Sequence, residues 1–587
     1  MTNSAPCTRK NLTFFSCFFL FLLIGSAQTK TEQLQTLLNQ YHDYGYFNGS
    51  ALVAEQGEAI YKGGAGQANM EWDIPNQADT KHRLGSITKQ FTAALILQLA
   101  EEGKIDLHAP VTTYLPDYPE GTGSTITTHH LLTHSSGIPN YTAFPDFFEG
   151  MSRDPFTPEE FVKVFADSTL QFTPGEQFAY SNSGYFLLGV LVEKITGKSY
   201  EKNLEEKILE PLGMEDTGFD LHKTILKNRA TGYEKGDGGY VNAPYLDMSI
   251  PYAAGSLYST AEDLHKWDLA LYENRVLSEK YTKLMFKPQV AAGSGHYAYG
   301  WFVRKMPVGI SGDSVEVIEH GGGINGFNTL IVREPDNQNL VVLLNNTGGA
   351  PLNNITQSML AILHDKPYEA PKRSLAYSLK DWIAQDGLEA ALQQYEQLKE
   401  SDDYKRSENE MNMIGYQLLS RGETEAAAAV FELNIAAHPE SFNVYDSYAE
   451  AMMEMGENDK AIENYKKSVE MNPGNTNGIK MLQKLGVKTE ELVKEVSISA
   501  EVLQSYEGKY ALAPNFILTV TKHGEQLKAQ ATGQPQFDIF PKSQTEFYLK
   551  VVPAQITFNR DEQGNVSSLT LYQNGQVING PRLPEEE

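Results

Sequence analysis

The stretch Leu84-Gly85-Ser86-Ile87-Thr88-Lys89-Gln90-Phe91 places a serine and a lysine three residues apart. Apolar residues continue at helical spacing through Ala93, Leu95, Leu97 and Leu99 to about Glu102, and Gly103 supplies a stop. Residues i and i+3 share a helix face, so the Lys89 ammonium can reach the Ser86 hydroxyl. Serine is a weak nucleophile until a neighbouring base or perturbed partner activates it. At the first turn of a helix it also sits in the positive end of the dipole. This helix is apolar on most sides, which predicts burial in the middle of a domain. Ser-x-x-Lys alone is a short and common pattern, so its meaning depends on what surrounds it.

Before it, Leu34, Leu37, Leu38 and Tyr41 mark a helix over 31–46. Residues 49–62 read as a β-hairpin turning at Gln56-Gly57. After it, Thr128 to Pro139 carries His129, His130 and His134. Acidic and cysteine partners at ligand spacing are absent nearby, so these histidines read as structural and no metal is expected. Next, Pro174-Gly175 marks a turn, and an apolar helix starts at Gly184, with Tyr180 and Asn182 in the loop before it. A buried tyrosine beside a cation can have a lowered pKa and act as a base. Finally, Val317 to Val332 reads as two strands joined by the glycine-rich segment His320-Gly321-Gly322-Gly323. Glycines there let a substrate backbone approach a strand edge, and the Gly323 amide is a second oxyanion donor beside that of Ser86.

Taken in order, Ser86-x-x-Lys89, Tyr180-x-Asn182 and His320-Gly321-Gly322 resemble the motifs of the serine β-lactamase and penicillin-binding-protein superfamily, closest to its class C-like branch. His130 to Gly137, Leu209 to Met214 and Gly255 to Leu264 are similar to recurring stretches of that branch. The resemblance covers about residues 31–363. It implies an α/β (α+β) domain, an antiparallel sheet flanked by helices, and acyl transfer without a metal or organic cofactor. By the same resemblance Ser86 is the nucleophile, and Lys89 and Tyr180 form a coupled pair that moves its proton. Asn182, His320, Gly322 and Gly323 stand on the substrate side. His320 occupies the place of a motif lysine, and a histidine near neutral pH is only partly charged. Relatives with histidine there tend to be peptidases and esterases rather than efficient β-lactamases. The implied substrate is a small peptide, an ester or a cell-wall-derived molecule.

The rest of the chain bounds this reading. With 587 residues, 41% apolar, the protein is long enough for several packed domains. A formal charge of -27 argues against a nucleic-acid partner. Arg9 and Lys10, the apolar run Leu12 to Ile24 and the small residues Gly25-Ser26-Ala27 have the order of a secretory signal, with a retained anchor as the rival. Export to the periplasm or outside the cell follows. Both cysteines, Cys7 and Cys17, lie in that segment, so a processed chain has no disulfides.

Beyond about Pro367 the sequence turns helical and repeats. Gly422 and Gly456, Ala427 and Ala461, Phe431 and Tyr465, and Pro439 and Pro473 are each 34 residues apart. That period resembles tetratricopeptide repeats, which could bind a protein partner or only space their neighbours. From about Ser497 alternating strands with turns at His523-Gly524, Gln563-Gly564-Asn565 and Asn574-Gly575 predict a small antiparallel barrel or sandwich, similar to the lipocalin-like domains of some related hydrolases. The expected division is 1–27, signal; 28–365, hydrolase; 366–490, helical repeats; 497–587, β domain. A competing reading is a scaffold protein with a decayed hydrolase domain. Another is a transpeptidase, which differs only in the acyl acceptor.

Overall fold

The computed structural model describes Met1 and residues 28–236, 239–489, 496–513, 516–552, 554–561, 563–573 and 576–584. The signal segment and the Asn574-Gly575 turn lie outside the described residues, Met1 excepted. Among the described residues no helix is long and apolar enough to cross a membrane.

The N-terminal part is built on an eight-stranded antiparallel sheet. Its spatial order is Val290–Ala292, Gly295–Tyr297, Phe302–Pro307, Ser314–Ile324, Phe327–Glu334, Asn339–Asn345, Gly49–Glu55 and Glu58–Ala65. The first hairpin forms as read: Gln56 and Gly57 both take positive φ, 52° and 83°, which matches the twist of the strands they join. Side chains alternate faces along each strand. Ala51 and Val53 pack with the Lys30–Asp43 and Leu352–Leu363 helices, whereas Leu52 and Ala54 join the core around the Thr88–Glu101 helix. That helix is buried on nearly every side, as its apolar sequence requires. Arg333, fully buried, pairs with Asp268 and lies against the Tyr272 ring, its guanidinium carbon 4.4 Å from the centroid. The pair satisfies two charges that the core would otherwise exclude.

One register detail positions the site. Pairing between Phe302–Pro307 and Ser314–Ile324 stops at Phe302 and Glu319, while pairing on the other side continues to Ile324 and Phe327. Residues 320–323 therefore keep one backbone edge clear of the neighbouring strand. The expected glycine-rich connection is not a connection. Gly321, Gly322 and Gly323 lie inside the strand, and the turn is Asn325-Gly326 with Gly326 at φ 75°.

The following segment is a run of helices. Glu408–Ser420 and Thr424–Ala437 are repeated as Phe442–Glu454 and Asn458–Met471, so the starts move from 408 to 442 and from 424 to 458. The sequence period of 34 is thus a structural period. Ala427, Ala461, Phe431 and Tyr465 are buried, and Gly422 and Gly456 turn the chain at φ 77° and 79°. The run touches its neighbours at both ends. Lys235 lies 5.5 Å from the Tyr377 ring centroid and Lys405 lies 4.9 Å from that of Tyr46. At the far end Met471 O accepts hydrogen bonds from Lys542 Nζ (2.7 Å) and Gln555 Nε2 (3.1 Å).

The C-terminal part is an eight-stranded antiparallel sheet in sequence order, Gly508–Ala513 to Gln576–Pro581. A bridge between Tyr510 and Arg582 brings its first and last strands together, so the barrel alternative holds over the sandwich. Tyr506 stacks on Phe558 at 4.1 Å within its core.

Candidate active site

Ser86 lies in a single 3-10 turn, Gly85–Ile87, immediately before the Thr88–Glu101 helix rather than in the helix itself. Gly85 at φ 54° allows the bend. The 252–259 stretch cradles this turn: Leu84 N–H donates to Leu257 O (2.8 Å) and Leu257 N–H to Thr88 Oγ1 (3.1 Å). The Gly321–Gly323 edge closes over it. A methyl on Gly85 would sit 3.0 Å from both the N and O of Gly323, so the Ser86 and Gly323 amides come from neighbouring backbones.

Lys89 is fully buried and its Nζ has three neighbours: Ser86 Oγ at 3.0 Å, Asn182 Oδ1 at 2.8 Å and Ala254 O at 2.8 Å. No carboxylate is among them. Burial therefore pushes Lys89 well below the ordinary lysine range. A neutral amine has two N–H donors, and Asn182 Oδ1 and Ala254 O can only accept. In that neutral form the remaining lone pair faces Ser86, whose O–H can donate to it; in the ammonium form Nζ donates to Ser86 Oγ.

Tyr180 flanks the same lysine, with Nζ 4.8 Å from its ring centroid. Its hydroxyl is buried and makes no hydrogen bond of standard geometry, although the nearby Ser86 side chain offsets part of the burial. Burial dominates, and Tyr180 is raised above the ordinary phenol range. The expectation of a lowered tyrosine is thus corrected: burial raises Tyr180 and lowers Lys89, which disfavours an ammonium beside a phenolate. Asn182 is the first residue of the Asn182–Thr196 helix, not part of the preceding loop.

His320 is also corrected. Burial, followed by the charge that Lys89 carries when protonated, pushes it down to about 3, so it is neutral rather than partly charged near pH 7. Its Nδ1 lies 2.6 Å from Gly321 O and its Nε2 lies 3.1 Å from Tyr297 Oη. Nδ1–H therefore donates to the carbonyl and Nε2 accepts from the phenol. Gly322 packs on the serine turn, where a methyl would sit 1.9 Å from Leu84 O, while the same position on Gly323 is open.

Ser86 borders two cavities. One, of about 350 Å³, is lined by Tyr180, His320, Phe302, Arg304, Glu319 and Asn353. Arg304 donates through Nε to Glu319 (3.0 Å) and through Nη2 to Asn353 (3.0 Å). The other, of about 110 Å³, is lined by Asn182, Gly323, Tyr141, Phe147, Phe148, Leu246 and Ile250. Tyr180, His320, Asn182 and Gly323 are expected from the sequence, whereas Phe302, Arg304 and Asn353 are not, and only the fold brings the 141–155 and 233–252 loops to the serine. His129 and His130 sit apart from this centre, His129 Nδ1 lying 2.8 Å from Tyr299 Oη.

Three fully buried histidines, His82, His134 and His320, carry a stability consequence. Burial lowers His82 to about 4, His320 to about 3 and His134 well below its ordinary value. In the unfolded chain these rings take up protons below about pH 6.5, whereas in the folded chain His82 and His320 do so only near pH 4 or lower. Stability present above pH 6.5 is therefore lost as pH falls towards 4. At pH 5 the loss is about 2 kcal/mol for each of His82 and His320. Urea unfolding at pH 7 and pH 5 tests this; equal midpoints contradict it.

Both ends of the chain are similar to known proteins. The family model described as Beta-lactamase matches residues 33–364, and one described as Domain of unknown function (DUF3471) matches residues 493–582. PbpX of Bacillus subtilis (strain 168), whose name places it among penicillin-binding proteins, is 32% identical over 344 residues, 58% of this chain and 81% of that one. The structure of D-amino acid amidase from Ochrobactrum anthropi SV3 with L-phenylalanine amide aligns at TM-score 0.51 and 26% identity, over 57% of this chain and 99% of that one. The octameric penicillin-binding protein homologue from Pyrococcus abyssi aligns over 93% of this chain and 99% of its own, at TM-score 0.50 and 22% identity, a likeness of fold alone.

Proposed function

The chain belongs to the beta-lactamase family, and from that premise we propose that it is an exported serine hydrolase that cleaves amide or ester bonds through an acyl-enzyme on Ser86. The observation that carries the proposal is the uncompensated burial of Lys89 against Ser86. Lys89 Nζ takes the Ser86 proton while Oγ bonds to the substrate carbonyl carbon. The Ser86 and Gly323 amides hold the oxyanion. As the carbonyl re-forms, the scissile bond breaks and the proton passes by way of Lys89 and Tyr180 to the departing nitrogen or oxygen. Water then adds to the acyl carbon, gives its proton to the same pair, and Ser86 leaves with it. Asn182, through its free amide nitrogen, orients the acyl part. His320 shapes the strand edge and the leaving-group side without supplying charge.

The proton must return to the leaving group, so that group departs on the Tyr180 side, into the cavity of Arg304 and Glu319. The acyl side then faces the slot of Tyr141, Phe147 and Ile250. With the D-amino acid amidase among the structural relatives, this favours a small peptide or amide carrying an apolar acyl side chain. We further read residues 28–365 as the hydrolase domain, 366–490 as tetratricopeptide-like repeats that can hold a protein partner, and 497–587 as a lipocalin-like barrel. The charge order of residues 9–27 supports export. The reaction as written calls on no metal or organic cofactor.

The test is covalent. A fluorophosphonate should label the purified protein, and mass spectrometry of the digest should find the adduct on the peptide containing Ser86. No adduct, or an adduct elsewhere, rejects the proposal.

A further inference from the structure

Tyr180 stands on irregular chain with no strand partner of its own, between the Pro174-Gly175 turn and the helix that begins at Asn182. Its hydroxyl makes no hydrogen bond of standard geometry. Something else must hold it beside Lys89. The residue that does so is one that sequence reading assigns to structure alone.

We propose that His134 is the positioning residue for Tyr180, gripping the chain on both sides of it and backing its ring. The Ala179 N–H donates to His134 O (2.8 Å), and the Ser181 N–H donates to His134 Nδ1 (3.0 Å). A paired strand would offer two carbonyls to the amides flanking a residue. Here one carbonyl and one ring nitrogen of the same histidine take those parts. The imidazole also lies face-near to the Tyr180 ring, with centroids 4.2 Å apart and planes at 34°. Tyr297 packs beside them, its ring centroid 4.7 Å from that of the imidazole. His134 is buried, and its backbone takes φ 55°, a left-handed conformation uncommon for a side-chain-bearing residue. That local strain is held by the surrounding turn, in which Ser135 N–H donates to His130 O and Gly175 N–H to Ser135 O.

The tautomer follows. Nδ1 accepts from Ser181, so the proton is on Nε2, which has no hydrogen-bond partner. A ring in this state neither accepts the Ser86 proton nor reaches substrate, since His134 is not itself among the residues lining either cavity. Its role runs through Tyr180.

This inference rests on the acyl-enzyme reading, and the experiment separates the two. The probe is the second-order rate of fluorophosphonate labelling, together with kcat and KM for p-nitrophenyl acetate. The variants are His134→Gly and His134→Asn, both tolerant of positive φ; only asparagine keeps an acceptor near Nδ1. Displacing a reacting group by about an ångström costs about 100-fold in rate. His134→Gly should lose about that in kcat and labelling rate with KM within about threefold, and His134→Asn should recover at least about tenfold of it. In a Tyr180→Phe background, His134→Gly should cost less than about twofold more, because the group it positions is already gone.

A wild-type protein that does not label rejects the hydrolase reading and this inference with it. A wild-type protein that labels, with His134→Gly equally fast, rejects the positioning role alone. So does a full loss from His134→Gly that persists in the Tyr180→Phe background, which marks a fold-wide effect. If His134→Gly does not fold, His134→Asn decides alone: a KM change without a kcat change overturns the inference.

Discussion

Replacing Ser86 with alanine abolishes fluorophosphonate labelling and lowers kcat/KM for any substrate by about 10⁴-fold or more. The expectation follows from the geometry of one atom. Ser86 Oγ is 3.0 Å from a buried Lys89 Nζ, at the point where both cavities meet. No other described side chain combines those two positions. Lys89→Met should lose nearly as much, although Ser86 stays in place, because the hydroxyl then has no acceptor for its proton. The double variant should be hardly worse than either single one, since residues acting as a unit are not additive. Steady-state kinetics with an activated ester, beside intact-mass detection of the adduct, measures all three. A Lys89→Met variant that still labels at the wild-type rate would transfer the base role to Tyr180.

Gly322→Ala is the second large effect, and its neighbours make it discriminating. A methyl on Gly322 would lie 1.9 Å from Leu84 O and 2.4 Å from Thr329 Oγ1. Neither atom can yield easily, because one is backbone and the other donates a hydrogen bond to it at 2.8 Å. The strand edge and the serine turn must separate, which carries the Gly323 amide away from Ser86. Loss of one oxyanion donor costs about 10² to 10³ in kcat, and overpacking of this kind costs about 1–3 kcal/mol in stability. Gly321→Ala meets only ordinary contact, its nearest neighbour being Thr329 O at 3.6 Å, so it should stay close to wild type. Rates and thermal unfolding of both variants settle the matter: equal activity in the two would place the oxyanion site elsewhere.

The reacting groups were legible because they are local or nearly so. Ser86 and Lys89 are one helical turn apart, and Tyr180 and Asn182 announce themselves by a turn followed by an apolar helix. The 34-residue period was equally legible, since each unit repeats its own small and aromatic positions. What failed depends on environment. Three glycines ordinarily signal a break, but here they thin a strand so that a turn can press on it. The charge of His320 and the direction of the Tyr180 shift are set by burial, which no spacing reveals. The cavity walls come from Tyr141, Phe147, Leu246 and Arg304, distant in sequence and of ordinary composition. In the C-terminal barrel strands form on both sides of the expected His523-Gly524 turn, at 516–523 and 526–531, and on both sides of the turn at 563–565, at 554–560 and 566–573.

The recurrence of helices at 408 and 442, and at 424 and 458, makes the middle of the chain a ruler with discrete marks. The barrel is fastened to the last marks, through Met471, and the hydrolase part to the first, through Tyr377 and Lys405. Inserting or deleting one unit would leave both fastenings intact and shift the barrel by a whole step relative to Ser86. Distance between the two ends is thus set in integers, and evolution or design can change it without redrawing either one.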